Sequence, residues 1–469
     1  MVHRNDDAGV APGWAALLSG RNAIRSLTLA GGVALHATNV FIAATTLPSI
    51  VKDIGGLPYY AWNTTVFIVM SILGAALSTR LLASARPRGA YGAAALLFGL
   101  GSAICAAAPS MPVFLAGRAL QGFGGGLLLA FAYAMSRLVF PESLWPRAMA
   151  LISGMWGAAT LIGPAIGGAF AELGAWRAAF WTLIPVSLLF TLLAATVLPK
   201  GDADRGVQPP LPIAQLLSLI AAVFALSAGS VADGRIWNMA GIAAGAGFLV
   251  LLAAIERRDG SRLFPADALR PSRPLFALYA TIILLELAVT SCEVFIPLFL
   301  QVLHGQTPLS AGYIGALIGV TWTIGSLVSS GATGDGVSRY VLACPALAAV
   351  GMAALVFFIP PPAQGWGAVG PICAALLCIG FGVGIGWPHL LTAILKAARA
   401  DEQDLASASM TTVQLLATAT GAALAGLVTN LAGLAHPGGA TGTSHAALWL
   451  FAGFAVTPAL ATLTALRRL

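Results

Sequence analysis

Charged residues are scarce in this chain, and their scarcity decides its class. They make up 9% of the 469 residues, whereas hydrophobic residues make up 58%. A soluble domain usually carries about 25% charged residues. The apolar residues fall into runs of roughly 20, the length of helix that crosses a bilayer core about 30 Å thick. A soluble globular protein is therefore excluded, and the sequence predicts an all-α membrane protein surrounded by the lipid bilayer.

Cysteine is also rare, and its placement favours neither a metal site nor disulfides. All five cysteines fall within apolar runs, none has metal-ligand spacing, and an odd number makes a poor disulfide framework. We interpret them as small packing residues and expect no metal and no cofactor. The first 24 residues lack the apolar core of a cleavable signal peptide, so the first span is expected to act as an uncleaved insertion signal. The cysteines are Cys105, Cys292, Cys344, Cys373 and Cys378.

The basic residues are distributed as in a membrane protein rather than a nucleic-acid-binding one. The formal net charge is +7, but no basic stripe is interleaved with stacking aromatics, so no nucleic-acid partner is expected. With the N-terminus inside, the outer connections hold only Lys52, Arg177 and Arg235, and every other basic residue except Arg118 lies on the inner side. Because cytoplasmic loops carry the excess of Lys and Arg, both termini are expected in the cytoplasm. The protein itself is expected in the cell membrane, and more specifically in a bacterial inner membrane.

Fourteen spans account for this asymmetry, and they group as six, two and six. Two six-helix repeats are one known plan of transporters. We therefore expect an N-terminal six-helix bundle over 1–198, an inserted helix pair with a cytoplasmic loop over 199–273, and a C-terminal six-helix bundle over 274–469, in a monomer. The spans are predicted near 27–47, 60–79, 90–109, 113–136, 148–171, 178–198, 211–231, 236–255, 275–303, 309–331, 340–360, 366–393, 405–430 and 446–464.

Two motifs lie within the first six spans. Arg118 opens the run Arg118-Ala-Leu-Gln121-Gly122 and is the one basic residue well inside a predicted span. A charge there is costly unless it snorkels, pairs or faces water. We therefore favour a functional arginine whose side chain faces the interior of the protein over one that snorkels to the bilayer surface. The run Gly163-Pro164-Ala-Ile-Gly167-Gly168 can bring helix backbones close together and bend the fifth span. Close packing is one interpretation of this run, and packing combined with gating is the other.

These runs resemble the major facilitator superfamily, and specifically its fourteen-span drug:proton antiporter branch. Trp176-Arg177 with Phe180 and Pro185, and the segment Pro297 to Gly312, are similar to the same branch. The resemblance covers most of residues 27–430. It implies a transporter with two six-helix bundles and two inserted helices, and the Gly-Pro motif implies export rather than uptake.

The sequence departs from that branch at two acidic positions. Asn39 stands where the first span usually carries an aspartate, and Ala83 stands at the aspartate of the loop signature after the second span. Only Arg86 and Arg88 of that signature remain.

The equivalent loop of the second bundle is better preserved. It keeps Asp335 and Arg339. An inner gate that depends on these two residues is the functional interpretation, and a solvated turn with routine charges is the alternative, because exposed ion pairs are weak.

Glu286 and Glu293 are the only acidic residues within the predicted spans. Seven residues make about 700° of helix, so the two carboxyls share one face and stand about 10 Å apart. An intramembrane carboxyl is a functional candidate by default, and burial disfavours its charged form. We expect Glu286, Glu293 and Arg118 to serve proton coupling. The alternatives are a protonated glutamate in a helix–helix hydrogen bond, or a glutamate that pairs with Arg118.

Five further residues are candidates for the substrate cavity. His36 and Asn39 lie three apart and share a side of the first span, and Gln121, Trp156 and Trp322 lie in later spans. Lipid-facing or packing roles are the alternative for the aromatic residues, and a packing role for His36.

The predicted function is proton-coupled secondary active export of small hydrophobic or amphipathic molecules by alternating access. An exporter of one specific metabolite or lipid is an alternative within transport. A non-transporting membrane receptor or an enzyme is the alternative of another class, but no clustered catalytic constellation favours an enzyme.

Overall fold

The computed structural model describes residues 13–200, 211–232, 234–258 and 262–466, and the regular elements in these ranges are helices. Thirteen of them are long and apolar enough to cross a membrane. Most of the predicted linker 199–210 and the basic residues Arg4, Arg205, Arg467 and Arg468 lie outside the described residues.

The ends of the helices lie within about seven residues of the predicted ones, and we group the helices below as an N bundle, an inserted pair and a C bundle. A short helix α1 (Trp14–Leu17) precedes them. The N bundle contains α2 (Gly20–Ile54), α3 (Trp62–Ala107), α4 (Met111–Val139), α5 (Trp145–Glu172), and α6 (Trp176–Trp181) with α7 (Leu183–Val197) as one span. The inserted pair is α8 (Ile213–Val231) and α9 (Arg235–Glu256). The C bundle contains α10 (Pro274–His304), α11 (Pro308–Ser329), α12 (Asp335–Phe358), α13 (Trp366–Ala397), α14 (Gln403–Leu431) and α15 (Gly439–Leu466).

Helix α3 is two crossings joined by a reversal at Arg86. Arg86 has φ 60° and ψ 161°, and Pro87 follows it; a proline disfavours helical backbone in the residue before it. Both arms pack on the same stretch of α4, because a Cβ on Gly122 would overlap Phe67 and one on Gly124 would lie 2.6 Å from the nitrogen of Phe98. About 30 residues of straight helix would separate those two contacts by about 45 Å. Counting α3 twice brings the thirteen candidates to the fourteen predicted spans.

Helix α5 is wedged between the two bundles by the glycines of its Gly-Pro motif. A Cβ on Gly163 would overlap Phe41 of α2, and one on Gly167 would lie 3.0 Å from the carbonyl oxygen of Ile42. A Cβ on Gly168 would instead lie 2.5 Å from the Cα of Leu309, in α11 of the C bundle. The motif therefore serves packing within one bundle and contact between the two.

The bundles touch at one end and diverge towards the other. Contact between α5 and α11 runs from Glu172, whose carboxylate accepts a hydrogen bond from the nitrogen of Leu309, to Thr160, which lies 3.0 Å from a Cβ placed on Gly319. The same faces continue to Trp156, 36% exposed, and to Leu327, 70% exposed. We call the touching end, where α2 ends and α3 begins, the closed end, and the opposite end the open end.

Candidate functional site

Arg118 lies inside the N bundle with neutral partners. Its side chain is 1% exposed, two turns into α4. Nη1 donates to Gln121 Oε1 at 2.9 Å, Nε donates to the carbonyl oxygen of Asn63 at 3.4 Å, and the guanidinium lies 4.1 Å from the ring centroid of Phe67. The structure therefore places Arg118 in a buried network, not at the bilayer surface where a snorkelling side chain would lie.

Gln121 extends this network to three transmembrane segments. Its Nε2 donates to Ser102 Oγ at 2.8 Å and to Asn39 Oδ1 at 3.3 Å. Asn39 is fully buried, and its Nδ2 has no partner among the described residues. Gln121 thus joins Arg118 to the neutral amide of Asn39. In the drug:proton antiporter branch that the sequence resembles, this position usually carries an aspartate.

His36 is buried beneath Trp156 instead of lining open space. Its ring lies 5.0 Å from that of Phe67 and 5.9 Å from that of Trp156. A Cβ on Gly125 would lie 2.5 Å from its Nδ1, so the glycine makes room for the imidazole. Neither ring nitrogen has a hydrogen-bond partner in the described part of the chain. In this conformation His36 and Asn39 are both fully buried, and Trp156 is the exposed member of this group.

The two intramembrane carboxyls lie in the other bundle. Glu286 and Glu293 of α10 are both partly exposed. Glu286 Oε1 accepts a hydrogen bond from Thr418 Oγ1 of α14 at 3.0 Å. Within the described residues Glu293 has no hydrogen bond and no ion pair, and Arg118 bonds to neither glutamate. The three residues predicted for proton coupling are therefore divided between the bundles.

Arg118 and Glu293 nevertheless lie at similar depth beneath the closed end. Tyr60 of the N bundle stacks on Phe295 of α10 with centroids 5.2 Å apart. Glu293 precedes Phe295 by two residues, and Asn63, the partner of Arg118, follows Tyr60 by one helical turn. The two groups therefore lie at similar depth, one in each bundle.

Two tryptophans lie just beyond the contact between α5 and α11, on the side of the open end. Trp156 precedes Thr160 by one turn, and Trp322 follows Gly319 by about one turn. Trp322 is half-buried, and its ring centroid is 4.7 Å from that of Trp387. The two helices thus bring one tryptophan each to the same depth, where the bundles begin to diverge.

The Trp176-Arg177 run at the start of the sixth span stabilises the closed end of the N bundle. Trp176 Nε1 donates to Asp53 Oδ2 at 3.1 Å, and Arg177 forms an ion pair with the same carboxylate. Arg177 also donates to the carbonyl oxygen of Ala108 at 3.0 Å. This run is structural within one bundle.

Among the gating candidates near the open end, Arg88 is bonded to its own bundle, and Asp335 and Arg339 are exposed. Arg88 donates to the carbonyl oxygens of Thr196 and Leu198 and so caps the end of α7. Asp335 and Arg339 were expected in a loop, but the structure places them in the first two turns of α12, because the helix begins directly after Gly334 at φ 55°. Both are exposed, and they form no ion pair with each other within the described chain.

Several partners in this site carried no signal in the sequence. Phe67, Ser102 and Thr418 are ordinary residues of apolar spans, and only the packing of distant helices brings them to Arg118, Gln121 and Glu286.

Comparison with known proteins assigns the family. The Major Facilitator Superfamily matches residues 29–422. A probable multidrug-efflux transporter of Mycobacterium tuberculosis is 38% identical over 426 residues, which cover 89% of this chain and 90% of the relative. A dehydrocurvularin exporter of Alternaria cinerariae is 26% identical, over 83% of this chain and 69% of the relative. A solved POT family transporter superposes with a TM-score of 0.67 at 14% identity, over 93% of this chain and 95% of that one. The chain belongs to the Major Facilitator Superfamily.

Proposed function

We propose that this protein is a proton-coupled exporter of small hydrophobic or amphipathic molecules, of the fourteen-span drug:proton antiporter branch. The observation that carries the proposal is the pair of partly exposed carboxyls, Glu286 and Glu293, in the C bundle of a molecule whose two bundles touch at one end. A two-bundle molecule that can close at either end moves a solute without an open channel. The 38% identical multidrug-efflux relative and the Gly163-Pro164 motif support export.

The open end is assigned to the cytoplasm by its charge. The connections at that end hold most of the basic residues, and cytoplasmic loops carry such an excess. The structure then corresponds to an inward-facing state, with both termini in the cytoplasm and the closed end outside, in the cell membrane.

The proton follows the two glutamates through the cycle. When the closed end opens, Glu286 and Glu293 meet external water and take up a proton, and the substrate leaves. When the bundles return to the inward-facing state, the proton passes to the cytoplasm and substrate binds again. Arg118 cannot lose its own proton, so its role is that of a fixed positive charge at the depth of Glu293.

The substrate surface is assigned to the facing helices near the divergence of the bundles. Trp156 and Trp322 offer apolar area from opposite sides, and Gln121, His36 and Asn39 lie behind them as polar groups that a small rearrangement would expose. Aromatic side chains supply large contact areas to apolar ligands. No metal ion and no cofactor are assigned, and the proton gradient supplies the energy to a protein that acts as a monomer.

A single-metabolite exporter is the second candidate, since one relative is named for one compound, dehydrocurvularin. A substrate screen in a host that lacks its own pumps, with and without a protonophore, separates the candidates. Resistance to several unrelated amphipathic compounds that the protonophore abolishes is expected. Resistance to one compound supports the alternative, and resistance unaffected by the protonophore contradicts proton coupling.

A further inference from the structure

The inserted pair is fastened to the N bundle at the closed end. Helix α8 lies against α14 of the C bundle and also reaches α3. Trp62, the first residue of α3, donates from Nε1 to the carbonyl oxygen of Ser227 at 3.2 Å, and its ring lies 6.0 Å from that of Phe224. The inserted helix α8 thus bridges the line along which the two bundles meet.

Asn430 joins all three parts of the molecule at one point. It lies near the end of α14, and its Nδ2 donates to the carbonyl oxygen of Pro58 at 2.8 Å and to that of Ser230 at 3.0 Å. Pro58 belongs to the N bundle and Ser230 to α8. One turn away, a Cβ on Gly426 would lie 2.6 Å from the Cβ of Ala61, so the backbones approach closely here. One amide therefore holds the C bundle, the N bundle and the inserted pair together.

At the open end the inserted pair is tied to the C bundle instead. Glu256, the last residue of α9, accepts hydrogen bonds from the nitrogens of Leu263 and Phe264 at 2.9 and 3.1 Å. The same connection continues to Ala266, whose nitrogen donates to the carboxylate of Glu402, just before α14. The pair is thus anchored to the C bundle at both ends and to the N bundle at the closed end.

We propose that the inserted pair, together with Asn430 of α14, holds the closed end shut, with Trp62 and Asn430 as the positioning residues. This rests on the transport cycle proposed above, in which the closed end must open. The pair moves with the C bundle, so opening breaks the bonds from Trp62 to Ser227 and from Asn430 to Pro58. Each broken bond is exchanged for a hydrogen bond to water, which has a modest net cost. The pair therefore favours the inward-facing state.

The test uses the full-length protein in lipid nanodiscs with spin labels at Lys52 and Thr307. These exposed residues lie at the closed end of opposite bundles, and the five native cysteines are replaced by alanine. Electron–electron distance measurement gives the populations with the closed end joined and separated. Asn430→Ala removes one bond that opening breaks, to Pro58, and Trp62→Phe removes another, to Ser227, so each is expected to raise the separated-to-joined ratio about threefold.

Asn238 provides the matched control. Its Nδ2 also donates to two backbone carbonyls, of Gly229 at 2.6 Å and Ala232 at 3.2 Å, but both lie within the inserted segment. Asn238→Ala is therefore expected to leave the ratio unchanged. The proposal is overturned if Asn430→Ala and Asn238→Ala give the same distances, or if Trp62→Phe leaves the ratio at its unmodified value. If Asn430→Ala does not fold, the ratio measured for Trp62→Phe tests the proposal by itself. Transport by the unmodified protein is measured separately, so a failure of the export proposal remains distinguishable.

Discussion

Replacing Gly168 by alanine tests whether the contact between α5 and α11 must break during transport. The added Cβ would lie 2.5 Å from the Cα of Leu309 and 2.8 Å from its Cδ1. Carbon atoms in contact are about 3.5–4.0 Å apart, and a Cα cannot rotate away. In the state with the closed end joined, the added methyl group therefore forces α5 and α11 apart by about 1 Å. In the state with the closed end separated, it causes no clash.

The expected magnitude follows from the cost of overpacking. Inserting a methyl into a tight contact costs about 1–3 kcal/mol, which is about 5- to 150-fold in an equilibrium between two states. Alanine also favours helix over glycine by about 1 kcal/mol, but this gain is the same in both states and cancels from their ratio. Gly168→Ala is thus expected to raise the separated population at least about fivefold.

The assay is the distance measurement between labels at Lys52 and Thr307, with two glycine controls on the same helix. A Cβ on Gly157 meets nothing within 4 Å, so Gly157→Ala is expected to leave the ratio unchanged. Gly163→Ala is expected to lower the apparent melting temperature, because its clash with Phe41 lies within one bundle and is present in both states. Equal distance distributions for Gly168→Ala and Gly157→Ala would refute the assignment of this contact to the gate.

Three further outcomes follow from the site. Gln121→Leu removes the acceptor of Arg118 and is expected to cost about 1–3 kcal/mol of stability, measured as a lower apparent melting temperature; an unchanged one would contradict the network. Arg88→Ala is expected to cost about 1 kcal/mol without changing the closed-end distances, and a changed distance would give Arg88 a gating role. Trp156→Ala and Trp322→Ala are each expected to raise the substrate KM about tenfold by loss of aromatic contact, and an unchanged KM would place the substrate elsewhere.

The spans could be predicted from the sequence because bilayer thickness and loop charge act on every segment separately. The reversal at Arg86 was expected between two spans, and Pro87 explains why it is confined to one residue. Helix α12 begins at Asp335, five residues before the predicted start, because the turn before it ends at Gly334 with φ 55°.

The site could be predicted only in part. The burial of Arg118 and the shared face of Glu286 and Glu293 follow from position within a helix. Their hydrogen-bond partners could not be predicted in this way. Asn63 binds Arg118 through its backbone carbonyl, and Thr418 is 132 residues from Glu286. The burial of His36 depends on Gly125 of another helix, which no pattern within the first span reveals.

The most direct test of the account replaces Glu286 and Glu293 by glutamine, singly and together, in reconstituted vesicles with an imposed pH gradient. Glu142→Gln is the matched control, because Glu142 is exposed at the open end and outside the bundles' interface. The double variant is expected to lose uphill transport while it still exchanges substrate down a concentration gradient, and Glu142→Gln is expected to keep both. Full uphill transport by the double variant would contradict proton coupling through these two carboxyls.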